Sequence, residues 1–141
     1  MHLPALFSLL TTTLATQTLY ATHYSGQVYT LHLDLPSKAN ANGNRTDKAH
    51  LSVASSATTC GSMPSWLTVD HDAGVLYCTD ENEDGGLLTV LAGAVSSGGA
   101  SSGGDGKLTE VAKTADVGGG VNSVVYGRKD KGKGRYLAVA H

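Results

Sequence analysis

One carboxylate and two imidazoles carry the chemistry that this sequence could perform. Glu81 ends the strand-like segment 74–81, and His23 and His141 lie near or at the ends of two segments that align with it. A carboxylate in such a place can act as a general base that activates water, and an imidazole or a divalent metal can stabilise an oxygen on which charge develops. We therefore predict Glu81, His23 and His141 as catalytic residues. For Glu81, the alternative is a solvated acid in the acidic run 80–84.

These candidates come from an internal repeat of short strand-like segments. Segments 74–81 and 134–141 align at an offset of 60 residues, and segment 19–24 aligns with 76–81 at an offset of 57. A repeat of this length indicates an architecture whose units bury their apolar faces against one another. The alignment makes Tyr24, Glu81 and His141 equivalent positions. His23, Asp80 and Ala140 lie one position earlier in the three copies.

The clearest unit begins with a hairpin that brings two strand ends together. The sequence Ser-Trp-Leu-Thr-Val (65–69) is rich in aromatic and β-branched residues. The turn-forming sequence Asp-His-Asp-Ala-Gly (70–74) follows it. Pairing Val69 with Val75 places Pro64 opposite Asp80. The first strand then begins, and the second ends, at the same edge of the sheet, which is where Glu81 is expected.

Short strands are predicted along most of the chain, and helical spacing is absent. The predicted strands are 19–22, 27–35, 51–54, 65–69, 75–78, 87–95, 107–112, 121–126 and 135–140. A four-stranded antiparallel meander that recurs at this spacing is typical of β-propeller blades. We therefore predict an all-β fold, a β-propeller fragment of about two blades plus the start of a third. A β-sandwich is the alternative, but it does not produce aligned copies.

Composition limits the partners and divides the chain into two parts. The 141 residues carry a formal net charge of −2, which gives no electrostatic basis for binding nucleic acid or an anionic membrane. No apolar run is long enough for a membrane span. Residues 3–15 are apolar and contain no acid. Residues 1–18 are therefore interpreted as a secretory signal peptide or a disordered N-terminus, and residues 19–141 as the propeller domain.

Two further features favour a secreted protein over a cytoplasmic one. Asn44 begins an Asn-Arg-Thr sequon, which is an acceptor site for N-glycosylation. Cys60 and Cys78 are expected to form a disulfide if the chain is exported, and to remain buried thiols if it is cytoplasmic.

Two polar residues at the starts of predicted strands are candidates for binding substrate. Ser65 and Asn122 lie at the edge where Glu81 is expected. Ser65 lacks the glycine-flanked elbow of an activated serine nucleophile, so a serine hydrolase is a poor interpretation. The acidic run 80–84 lacks the spacing of a calcium-binding EF-hand loop. No cofactor is predicted outright, and a divalent metal is the alternative.

Two motifs and a closing strand form a pattern that is known from one family. They are the sequence Met-Pro-Ser-Trp-Leu-Thr-Val-Asp (63–70), the sequence Gly-Val-Leu-Tyr-Cys-Thr-Asp-Glu (74–81), a glycine pair, and a strand after residues 106–108. Together they resemble the lactonase family of seven-bladed β-propellers, the 6-phosphogluconolactonase-like group, and most closely its fungal branch. The resemblance covers residues 19–141 and implies a substantially longer chain. We therefore expect this chain to be truncated, and to be poorly stable or inactive alone.

The resemblance also implies a function. Glu81 matches the family's acidic residue at the end of this strand, so we expect a lactonase that hydrolyses the ring of a sugar-derived lactone. The implied partner is a small-molecule lactone or sugar acid, and the complete protein is expected to be a monomer. One alternative is a cycloisomerase that lactonises muconate. Another is a non-catalytic propeller that binds a protein or a carbohydrate on the same face.

Overall fold

The computed structural model describes residues 16–36, 48–93, 106–115, 119–127 and 134–140. All regular structure in these ranges is β-strand, and every strand pair is antiparallel. No helix in the described ranges has the length and apolar character that crossing a membrane would require. The predicted all-β class is therefore confirmed.

The strands form three sheets, and neighbours in each sheet follow one another along the chain. The first sheet contains β1 (Thr16–His23), β2 (Gln27–Asp34) and β3 (His50–Thr58). The second contains β4 (Pro64–Asp70), β5 (Val75–Asp80), β6 (Leu88–Ala92) and β7 (Thr109–Thr114). The third contains β8 (Asn122–Tyr126) and β9 (Tyr136–Ala140). This arrangement is the predicted propeller fragment of two blades and the start of a third, although the first blade has three strands in the described residues.

The register of the central hairpin differs from the predicted one. The structure pairs Val69 with Leu76, so the predicted pairing of Val69 with Val75 is wrong by one residue. A register shift after Pro64 absorbs the difference, and Pro64 still lies opposite Asp80. Such a β-bulge places two residues of one strand against one of its partner. The shared edge of the two strands is therefore correct, although most of the ladder below it is not.

The core lies between the first and second blades. Six apolar side chains form it, contributed by strands β2, β5 and β6 and by the connections between strands: Val28, Cys60, Leu76, Cys78, Leu91 and Leu108. Tyr20, Leu67 and Val69 are partly buried against this cluster. Side chains alternate between the two faces of a strand, so the same strands present their other face to the neighbouring blade or to solvent. Burial of these faces is the main force that holds blade against blade.

One glycine fastens the same two blades through its backbone. The carbonyl oxygen of Gly106 accepts hydrogen bonds from the hydroxyls of Thr30 and Ser55, each at 2.7 Å. Gly106 has a φ of 64°, and a Cβ there would lie 2.8 Å from Cγ2 of Thr30. A residue without a side chain is therefore needed for this contact.

The second and third blades are held by polar contacts. The hydroxyl of Thr68 lies 2.7 Å from the carbonyl oxygen of Ser123, and Arg135 pairs with the buried carboxylate of Asp70 at 2.8 Å. Oδ1 of Asp70 also accepts the N–H groups of Asp72 and Ala73. The ion pair therefore joins the turn after β4 to the start of β9.

Burial corrects the repeat alignment for the last strand. Leu137 and Val139 of β9 are partly buried on the face that carries Ser123, which contacts the second blade. In β5, Leu76 likewise faces the preceding blade, because it packs in the core between the first and second blades. Leu76 is therefore equivalent to Leu137, and the alignment that set it against Tyr136 is one residue out. The sequence could not reveal this, because it does not show which face of β9 packs against the second blade.

The outward faces of the first and third sheets are apolar and exposed. On the first sheet, Leu51 and Val53 expose 56% and 62% of their surface. On the third, Val124, Tyr126 and Tyr136 are exposed, and the two tyrosine rings stack with their centroids 5.5 Å apart. These faces resemble in composition the faces that neighbouring blades bury against each other.

Candidate active site

The candidate site lies at the edge where β1 and β5 end and where β4 and β8 begin. Two hydrogen bonds show that the second and third blades meet there. The hydroxyl of Ser65 donates to the carbonyl oxygen of Gly120 at 3.0 Å, and the N–H of Gly119 donates to the carbonyl oxygen of Asn82 at 3.4 Å. The loops that connect the blades therefore collect polar groups at one end of the sheets.

Tyr24 and Glu81 meet directly across the first two blades. The hydroxyl of Tyr24 donates a hydrogen bond to Oε1 of Glu81 at 2.6 Å. The two residues are equivalent in the internal repeat, so the repeat correctly brought them to one edge. Sequence reasoning placed Tyr24 there but gave it no role. The signal that could have revealed one was its equivalence with the acid.

The contact affects the pKa of the tyrosine. The hydrogen bond to Glu81, together with the negative charge of that carboxylate, raises the pKa of Tyr24 above its usual value. A phenol with a raised pKa stays protonated at neutral pH, so Tyr24 remains a donor to the carboxylate. One oxygen of Glu81 is thus held by a neutral donor from the neighbouring blade.

The backbone around Glu81 is also fixed. The N–H of Glu81 donates to the carbonyl oxygen of Met63 at 3.0 Å. Glu81 itself is partly exposed, which leaves its carboxylate accessible from the edge. The arrangement is suited to a general base, because the carboxylate reaches solvent while its main chain and one of its oxygens are held.

His23 is placed by its own turn. Its Nδ1 accepts the N–H of Ser25 at 3.1 Å and lies 3.0 Å from the hydroxyl of the same serine. In a neutral imidazole whose Nδ1 is an acceptor, the proton is on Nε2. In this arrangement the ring presents an N–H rather than a lone pair on its outer side, which suits a hydrogen-bond donor better than a general base.

Comparison with known proteins decides the family. Residues 12–141 match the family model described as lactonase, 7-bladed beta-propeller. The chain belongs to this family. No curated protein and no solved structure matches it. Membership supports a lactonase-like function in general terms, and it agrees with the family that the motifs around Trp66 and Cys78 resembled.

The two predicted substrate-binding residues of this lactonase-family chain differ in their surroundings. The hydroxyl of Ser65 has a carbonyl partner in the next blade, at Gly120, and lies 3.4 Å from the carbonyl oxygen of Thr79. A hydroxyl has one proton to donate, so these contacts occupy it. Asn122 begins β8, pairs with Ala140 and is exposed. The hydroxyl of Ser65 is therefore engaged between two blades, whereas the side chain of Asn122 is open to a ligand, and the substrate-binding role of each stays a prediction.

The remaining predictions concern the two cysteines, His141, Asn44 and a metal ion. Cys60 and Cys78 are joined by a disulfide, the pairing expected for an exported chain, and it lies in the core close to Glu81 in sequence. His141 and Asn44 lie outside the described residues, so their predicted roles stay predictions. Among the described residues, no group of three or more His, Cys, Asp or Glu side chains is arranged to hold a metal ion.

Proposed function

We propose that this chain is a lactone hydrolase of the 6-phosphogluconolactonase-like type, acting on a sugar-derived lactone with Glu81 as the general base. One observation carries the proposal: the hydroxyl of Tyr24 donates to Oε1 of Glu81 at 2.6 Å across two blades. This bond joins the carboxylate to a second functional group at the edge where the strands end. Lactone hydrolysis can use this carboxylate, because the reaction needs a base for proton transfer and the Tyr24 donor holds that base in place.

The reaction balances with one water molecule. Glu81 accepts a proton from water while the water oxygen bonds to the carbonyl carbon of the lactone. The ring C–O bond then breaks, and the ring oxygen takes up the proton and becomes a hydroxyl group. The net change converts one lactone and one water into one hydroxy acid. A carboxylate that accepts one proton and later returns it is sufficient for these two proton transfers.

The other candidate bases and nucleophiles are less suited to these steps. Ser65 donates to a backbone carbonyl, and Nδ1 of His23 accepts the N–H of Ser25. Each would have to break its present contact before it could attack or accept a proton there. Glu81 needs no such change, because a carboxylate has lone pairs beyond the one that faces Tyr24.

The proposal is tested with a panel of substrates. The chain is completed with the remaining blades of a seven-bladed propeller and incubated with a neutral sugar δ-lactone, its phosphorylated counterpart and a carboxymuconate, and acid release or ultraviolet absorbance is followed. We expect acid release from a sugar lactone above the rate of spontaneous hydrolysis. Closure of the muconate without lactone hydrolysis would instead support the cycloisomerase. If no member of the panel reacts, but a carbohydrate binds at this edge, the non-catalytic propeller is correct.

Replacing Tyr24 with phenylalanine is expected to lower kcat by about tenfold, less than the 10²- to 10⁴-fold contributed by general acid–base groups. The substitution removes only the donor to Oε1 of Glu81 and keeps the ring. A spectrophotometric titration of the tyrosines gives a second readout, in which the variant lacks one group that titrates above the usual pKa of about 10. Tyr29→Phe is the control, since it removes a hydroxyl from β2 of the same blade.

The pH dependence of this contact has a definite sign. Because the folded-state pKa of Tyr24 is raised, its contribution to stability is complete below the unfolded-state pKa and is lost as pH rises through the folded-state pKa. Activity that depends on the Tyr24 donor should therefore persist at neutral pH and fall only in strongly alkaline solution. If the Tyr24 hydroxyl titrates at the ordinary tyrosine pKa in the unsubstituted chain, the contact with Glu81 is contradicted.

A further inference from the structure

The residue before Glu81 is a buried acid that the proposed reaction does not use. Asp80 exposes only 2% of its surface, and it ends β5 opposite Pro64. Burying a carboxylate costs free energy unless hydrogen bonds compensate for the lost water. Its contacts therefore indicate what the residue does.

Those contacts are with two backbone N–H groups next to Glu81, one across the hairpin and one on the following residue. Oδ1 of Asp80 accepts the N–H of Met63 at 2.9 Å and the N–H of Asn82 at 3.2 Å. Met63 in turn accepts the N–H of Glu81 through its carbonyl oxygen at 3.0 Å. One carboxylate oxygen thus fixes Asn82, which follows Glu81, and Met63, which precedes β4 and accepts the N–H of Glu81.

The rest of the Asp80 side chain is confined by a glycine. A Cβ placed on Gly61 would overlap Oδ2 of Asp80 and would lie 2.6 Å from its Cγ. Gly61 has a φ of 82°, and Cys60 beside it also has a positive φ of 68°. The Cys60–Cys78 disulfide ties this turn to β5 two residues before Asp80. The turn and the carboxylate therefore pack as one unit.

We propose that Asp80 is a positioning residue that sets the place of the Glu81 carboxylate through Met63 and Asn82. The inference rests on the proposed function in so far as it concerns catalysis. The structural part of the inference is independent of that function. Without the two hydrogen bonds that Oδ1 of Asp80 accepts, the main chain near Glu81 is less constrained. The hydrogen bond between Tyr24 and Glu81 is then no longer maintained. A misplacement of about 1 Å is enough to cost about 10²-fold in rate.

The experiment compares Asp80→Ala, Asp80→Asn and the control Ser62→Ala. Ser62 lies between Gly61 and Met63, and its hydroxyl accepts the side-chain N–H of Asn82 at 3.3 Å rather than bonding to Asp80. Three quantities are measured in the full chain. Steady-state rates give kcat and KM for the sugar lactone. The pKa of Tyr24 comes from the difference between each variant's tyrosine titration and that of the same variant carrying Tyr24→Phe. Fluorescence of Trp66, the single tryptophan, reports folding.

In Asp80→Ala we expect kcat to fall about 10²-fold, KM to change little, and the pKa of Tyr24 to return towards its ordinary value. Asp80→Asn keeps an oxygen that can accept both N–H groups, so it should retain most of the rate and the raised pKa of Tyr24. Ser62→Ala should behave as the unsubstituted chain. If Asp80→Ala does not fold, Asp80→Asn decides the question: loss of the raised Tyr24 pKa in a folded Asp80→Asn variant would overturn the inference.

The outcomes separate this inference from the proposed function. If Glu81→Gln abolishes turnover while Asp80→Ala changes neither kcat nor the pKa of Tyr24, the positioning role is wrong and the general base stands. If Glu81→Gln leaves turnover unchanged but Asp80→Ala lowers the pKa of Tyr24, the positioning role stands and the assigned base is wrong.

Discussion

Glu81→Gln is expected to lower kcat for a sugar δ-lactone by about 10²- to 10⁴-fold, with little change in KM. Glutamine has the shape of glutamate, and its amide oxygen can still accept the hydroxyl of Tyr24. It cannot take a proton from water, so the loss isolates proton transfer from packing. The measurement is a steady-state rate over a range of lactone concentrations at neutral pH.

Glu83→Gln is the matched control for this substitution. Glu83 is an exposed acid in the turn that follows Asn82. Its replacement by glutamine removes one negative charge from the same acidic run, as Glu81→Gln does. We expect its kcat to stay within a factor of two of the unsubstituted rate, since an exposed charge interacts weakly through water. Equal losses in both variants would mean that the charge of the run matters rather than the base. Full activity of Glu81→Gln would remove Glu81 from the mechanism.

Gly61→Ala is expected to lower the free energy of unfolding by about 2 to 5 kcal/mol. Two effects add. An alanine at a φ of 82° costs about 1 to 2 kcal/mol. Its Cβ also displaces the buried carboxylate of Asp80 from the N–H groups that donate to it, and a buried carboxylate left unpaired costs about 1 to 3 kcal/mol. Urea unfolding, followed by the fluorescence of Trp66, measures the change.

Gly119→Ala separates these two effects. Gly119 also has a positive φ, of 70°, but a Cβ there meets no atom within 4 Å. We expect this control to lose about 1 to 2 kcal/mol, the backbone cost alone. A Gly61 variant no less stable than the Gly119 variant would show that Asp80 relaxes without penalty. In that case the turn at Gly61 would not confine the carboxylate.

The edge of the sheets that carries the site was predictable because the repeat and the hairpin both indicated it. Tyr24 and Glu81 align at an offset of 57 residues, and the structure joins them by a hydrogen bond. Equivalent positions in successive blades face the same end, so alignment alone brings such residues near one another. Alignment does not say which of them bond, because that depends on how closely neighbouring blades approach.

The roles of individual polar groups were less predictable. His23 and Ser65 have the residue types that catalysis uses, yet the first is placed by its own turn and the second bridges two blades. Asp80 looked like one more acid in a solvated run, and it is buried. These differences follow from hydrogen bonds between residues that are distant in sequence, which residue type and spacing do not record.

The sequence by itself determined the all-β propeller, its family and the edge at which Glu81 lies, because strand propensity, turn residues and the repeat are local properties of the chain. Only the tertiary structure decided the register of β4 on β5, the orientation of β9 and the partners of Tyr24, Ser65 and Asp80. A strand alternates its faces with a period of two, so one bulge or one loop residue changes which side chains are buried. Packing between blades selects among these registers.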